Sequence, residues 1–169
     1  RLEPPSAAER GDATGCGFSG GVDSFFTLFR HLPRNEPVPE HRITHLVVVN
    51  GFQHDVDLDE TGYFDALRRV YRPFAEREGL RLLTLRTNVS RVCEALSRPD
   101  RLHGHGARMA SAGLAFSRLL GRYSIAGFGV WGVDDPPYGT HPLTDPCFAT
   151  ESLQIVHDGG DTARVDRVR

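Results

Sequence analysis

One hexapeptide, Ser19-Gly20-Gly21-Val22-Asp23-Ser24, limits this chain's folding options more than any other stretch. It follows Cys16-Gly17-Phe18 and runs directly into Phe25-Phe26-Thr27-Leu28-Phe29, which is too apolar for a surface loop. The pattern reads as strand, tight glycine turn and buried helix. Two adjacent glycines remove Cβ atoms where a ligand must approach the main chain. Ser19 and Ser24 add hydroxyls, and the turn's N–H groups meet the positive end of the following helix. Such a turn is an anion cradle, and its natural anion is a phosphate chain.

At all six positions the hexapeptide resembles the pyrophosphate-binding loop of the PP-loop ATP pyrophosphatases, the adenine nucleotide alpha-hydrolase-like superfamily. Its members include asparagine, GMP and NAD synthetases, 7-cyano-7-deazaguanine synthase and several tRNA-modifying enzymes. The resemblance extends over most of residues 14–160, but only the loop is highly specific. A Walker A loop is excluded, because that pattern needs Gly-Lys-Ser/Thr and all 20 basic residues here are Arg. Cationic help to a phosphate must therefore come from Arg, His, a metal or the backbone.

With 169 residues the chain reads as a flexible lead-in over 1–13 and one ATP-binding domain over 14–169, expected to be cut short at its C-terminal end. A net charge of -2 gives no bulk signal for a nucleic-acid partner. Cys16, Cys93 and Cys147 are far apart, with no CxxC pair, which argues against a zinc knuckle and a disulfide framework and fits a reducing cytoplasm. No apolar run approaches membrane-spanning length.

The expected elements alternate. A first strand over 14–18 leads through the loop into a helix ending near Leu32. Ile43 to Asn50 is nearly continuous in apolarity, as in a central parallel strand covered on both faces. The acidic run Asp55-Val56-Asp57-Leu58-Asp59-Glu60 is read as capping the next helix, not as a calcium loop. That helix spans about 60–78, with Phe64, Leu67, Tyr71, Phe74 and Ala75 on one face. A strand over 80–85, a short helix capped by Asn88, a helix over 107–120, a strand over 122–128, a short strand over 153–157 and the start of a helix over 162–169 follow. Alternation of this kind gives an α/β doubly wound parallel sheet. The resemblance implies five strands in the order 3-2-1-4-5, with ligands at the carboxyl ends of the strands.

The resemblance also assigns residues. The phosphate side of the site would be Phe18, Ser19, Gly20, Gly21, Val22, Asp23 and Ser24. Main-chain groups of Val49 and Asn50 would hold the adenine, and Gly127 would face ribose and phosphates. Asp23 would either help hold Mg²⁺ on the phosphates or cap the first helix. With Lys absent, Arg108 is the candidate side-chain phosphate contact and, with Asp23, a candidate catalytic residue. His103 and His105 sit nearby in sequence, while Asp134, Asp135, Asp145 and Glu151 lie in or beside the long segment 129–151, the expected acceptor pocket.

The implied chemistry is ATP cleavage between the α and β phosphates. A carbonyl or carboxyl oxygen of a small-molecule acceptor takes AMP, pyrophosphate leaves, and ammonia, an amine or sulfide then displaces AMP. ATP and Mg²⁺ are the expected cofactors, and a homo-oligomer is allowed. A tRNA-thiolating enzyme and a non-catalytic ATP-binding module are the alternatives; unpaired cysteines disfavour the former. The acceptor and the nucleophile stay open.

Overall fold

Within the expected run Ile43 to Asn50, His45–Asn50 forms an interior strand of the sheet, and the strand before the glycine turn lies beside it at the centre. The computed structural model describes residues 11–52, 62–97, 104–130 and 139–168. The strands are β1 (Ala13–Gly17), β2 (His45–Asn50), β3 (Arg81–Arg86), β4 (Leu120–Ala126) and β5 (Gln154–Asp158). They pair in the order β3-β2-β1-β4-β5, all parallel. This is the doubly wound α/β sheet expected from the alternation, with its switch point between β1 and β4.

The helices are α1 (Val22–Arg30), α2 (Tyr63–Arg77), α3 (Val89–Ser97) and α4 (His105–Leu114). Two apolar cores follow from the two sheet faces. One packs Cys16, Phe18, Leu46, Val48 and Leu80 with Leu28 of α1 and Phe64 and Ala75 of α2. The other packs Val47, Tyr123, Ile125, Leu153 and Ile155 with Ala110 and Ala112 of α4. Val47 and Val48, neighbours in β2, divide between the two cores as strand alternation requires.

Two expected helices differ. The helix over 107–120 ends at Leu114, because the chain tightens into i→i+3 bonds, Phe116 N–H to Gly113 O and Ser117 N–H to Leu114 O, both within 3.1 Å. The Leu119 carbonyl then accepts from Ala13 N–H at 3.3 Å, and Leu120 begins the strand. Pairing with β1 thus takes residues that periodicity alone gave to the helix. The helix over 162–169 is instead a turn with a 3₁₀ segment, Asp166–Val168. Its first would-be helical acceptor is taken: the Arg167 guanidinium donates to the Thr162 carbonyl, and also to that of Gly159 just before it. At the start of α3 the Thr87 hydroxyl accepts the Val89 amide at 3.2 Å.

Residues 1–10 of the lead-in, the acidic run Asp55 to Glu60, His103, Trp131, Asp134 and Asp135 lie outside the described residues. Among the described residues, no helix is long and apolar enough to cross a membrane.

Candidate functional site

The glycine turn stands at the carboxyl end of β1, where β1 and β4 send their connections to opposite faces. Its foundation is Phe18, 3 % exposed, whose ring packs edge-on against Phe25 and Tyr71 at 5.0 Å. The Phe18 amide closes the ladder on the Val47 carbonyl at 2.8 Å. Beneath it Cys16 is wholly buried, and burial pushes its thiol far up, so it is no nucleophile.

The two motif glycines are glycine for different reasons. Gly20 has φ +76°, and a Cβ there would run into the Tyr71 hydroxyl. Gly21, the N-cap of α1, has φ −81° and ψ 167°, which any residue adopts. A Cβ on Gly21 would meet only Ser19 Oγ at 3.4 Å. Folding therefore demands Gly20 and leaves Gly21 free.

The hydroxyls of the motif bond inward. Ser24 donates to Gly21 O at 2.9 Å, and Ser19 Oγ accepts the Gly21 amide at 3.3 Å. Among the described residues, no group accepts from the amides of Val22, Asp23 or Ser24. These are the orphan donors of a helix's first turn, at its positive end.

Asp23 forms no side-chain cap. Its carboxylate meets Arg167 Nη1 at 2.7 Å and Arg164 Nε at 3.6 Å. The same Arg167 nitrogen donates to Gly127 O at 2.5 Å, and the guanidinium lies over Phe26 at 5.3 Å. The Arg167 side chain is fully buried, while Arg164 is half exposed over Phe128. Two cations thus stand beside the loop against one carboxylate. Sequence reasoning missed both arginines, because it placed residues 162–169 on a departing helix. With its charge matched in this way, Asp23 does not fit as an Mg²⁺ ligand as placed.

The strand-end residues divide. Asn50 O accepts the Thr87 amide at 2.9 Å, toward β3. Val47 O points to β1, and by alternation so does Val49 O, beyond the end of β1. No described donor meets it there. Gly127 is closed on both main-chain groups: its amide donates to Asp158 O at 2.6 Å and its carbonyl accepts from Arg167. Arg108 is no solvated surface arginine. It is 7 % exposed, and its Nη1 is 3.4 Å from the Ser90 hydroxyl, which donates to Phe52 O past the end of β2.

Consecutive residues of β5 complete two further polar clusters, one on each face. Asp158 accepts from Thr27 Oγ1 at 2.7 Å and pairs with His31 Nε2 at 2.9 Å; His31 Nδ1 pairs with Glu36 at 2.6 Å. Bonding to Asp158 raises the His31 pKa above its ordinary value, against the opposing effect of burial. Burial alone would raise Asp158, yet the bonds from His31 and Thr27 hold it below the usual carboxylate range.

On the other face Asp145 is fully buried. It accepts from Thr140 Oγ1 at 2.6 Å, from the His141 amide at 3.2 Å and from His157 Nδ1 at 2.8 Å. Gly106 brings α4 against this segment, its amide donating to Gly139 O at 2.9 Å. Next to it, His105 Nδ1 is buried without a partner among the described residues. Burial, with Arg108 adding, lowers the His105 pKa, so the ring is neutral.

Comparison with protein-family models, with curated proteins and with solved structures gave no match.

Proposed function

We propose that this protein is an ATP-dependent adenylating enzyme of the PP-loop type. It would activate a carbonyl or carboxyl group of a small molecule, releasing pyrophosphate, for attack by ammonia, an amine or sulfide. One observation carries this reading: the Ser19–Ser24 turn offers the unpaired amides of Val22, Asp23 and Ser24 beside Gly21, a glycine that the backbone does not require. A side chain there would cost the fold little and a bound phosphate much.

In this reading the loop amides carry the β- and γ-phosphates and stabilise charge as pyrophosphate departs. Arg164 adds a cation from the side, the help that a chain without Lys must find elsewhere. The Val49 carbonyl, on the β1 side of β2 beyond the end of β1, would accept from the adenine amino group. Mg²⁺, when bound, would travel with the triphosphate and neutralise it, with Asp23 engaged by Arg167 and Arg164. The acceptor pocket would be built on the α4 face by the segment after β4.

ATP–pyrophosphate exchange over a panel of carboxylic and amide acceptors tests the reading. Exchange with at least one acceptor is expected. Tight ATP binding with no exchange would instead favour a nucleotide-binding module, and no ATP binding would end both readings.

A further inference from the structure

His157 and Asp145 form a second working pair on the rim that the proposed ATP site shares. Their bond, Nδ1 to Oδ2 at 2.8 Å, fixes one nitrogen of the ring to a fully buried carboxylate. Thr140 and the His141 amide hold that carboxylate in turn. The other nitrogen, Nε2, has no hydrogen-bond partner among the described residues. It lies against the Cα of Gly127, in the space a side chain there would fill. Gly127 directly follows β4, and its carbonyl shares Arg167 Nη1 with Asp23 of α1. The ring is only 6 % exposed, so Nε2 is unpaired on the inner side of the rim. An imidazole with one nitrogen anchored to a buried carboxylate and the other unpaired is equipped to act as a general base held in one tautomer.

We infer that His157 is the general base for the nucleophile that attacks the activated acceptor, with Asp145 as its positioning residue. The inference rests on the adenylation reading and narrows it. A base is needed where the nucleophile must lose a proton, so the nucleophile is ammonia or an amine. As the C–N bond forms, an N–H proton passes to His157 Nε2. The acyl C–O bond breaks, and its electron pair leaves on the phosphate oxygen of AMP. Asp145 stabilises the resulting imidazolium through Nδ1–H. Charged or titratable groups on the elements around the ring include His105 and Arg108 on α4, Arg122 and Tyr123 on β4, His141 and Cys147 beside Asp145, and Asp158 on β5. His105 is neutral, and Asp158 turns to the opposite face.

The test is ¹⁵N-edited NMR of the whole chain, reading its eight histidines with and without MgATP. His157 is expected as the Nδ1–H tautomer, with an Nε2 resonance that moves on adding MgATP. Asp145→Asn is expected to lose that tautomer preference. His157→Gln should bind ATP within about threefold of the unaltered protein, since the ring serves the acceptor. An Nε2–H tautomer would overturn the inference, as would an unmoved Nε2 while the amides of Val22 to Ser24 shift. Tenfold weaker ATP binding in His157→Gln would also overturn it, by making the ring a nucleotide contact. If neither the loop amides nor His157 respond to MgATP, the adenylation reading fails and takes this inference with it.

Discussion

His31 and His157 each meet a buried aspartate, and β5 contributes one partner to each pair. Because strand residues alternate, His157 points to the α4 face and Asp158 to the α1 face. His31 has both nitrogens engaged, by Asp158 and by Glu36. His157 has one engaged and one open. The first arrangement fixes α1 against the sheet and leaves no proton to move. The second keeps a ring in place while leaving one nitrogen unpaired, as the proposed base requires. The same side-chain types therefore make a latch on one face and a candidate base on the other, and the difference is the number of satisfied nitrogens.

The comparison breaks most sharply at Asp158. Asp158→Ala would strand His31 and Thr27 in the interior, and losing one partner of a buried pair costs on the order of 3–5 kcal/mol. Urea unfolding should show that loss; a loss below about 1 kcal/mol would mean the latch is not holding α1.

Gly20 and Gly21 give the next contrast. Gly20→Ala forces a left-handed alanine into Tyr71 and should cost about 1–3 kcal/mol. Gly21→Ala should change stability by no more than about 0.5 kcal/mol, yet weaken ATP binding at least tenfold by calorimetry. Equal effects of the two substitutions on stability would remove the argument that Gly21 is kept for a ligand.

The smallest effect is the pH dependence of the latch. The His31 pKa lies above its ordinary value of 6.5 in the folded protein. Its contribution is then full below 6.5 and disappears as pH rises through the folded value. Asp158 and Glu36 are lowered, so their part is present above their ordinary values and lost as pH falls through the folded ones. His45 and His105 are both lowered by burial and pull the other way in acid, so a difference measurement is needed. The stability gap between the unaltered protein and His31→Gln should shrink between pH 6 and pH 9. A gap that widens would contradict the assignment.

Much of the fold was legible because its signals are local. Ile43 to Asn50 announces a buried strand, and Phe64, Leu67, Tyr71 and Phe74 announce a helix face, without reference to the rest of the chain. The glycine turn was legible for the same reason. The boundaries that misled were those where a side chain or strand competes: Leu119 and Leu120 leave their helix for β1, and Arg167 takes the Thr162 carbonyl that a helix would need. Nor did the sequence mark the His157–Asp145 pair. The two are 12 residues apart, on a strand and an irregular segment. One signal was present: His157 is two residues after Ile155, on a core-facing position where a histidine needs a partner.

The sequence by itself determined the alternation of strands and helices, the turn at Ser19–Ser24 and the absence of lysine from it. These depend on side-chain period, glycine and composition, which act over a few residues. Only the tertiary structure decided that Gly20 and Gly21 differ, that Asp23 belongs to Arg167, and that His157 keeps an open nitrogen. Each of these depends on which atom from a distant segment arrives first at a donor or acceptor, and that is fixed only when the sheet closes.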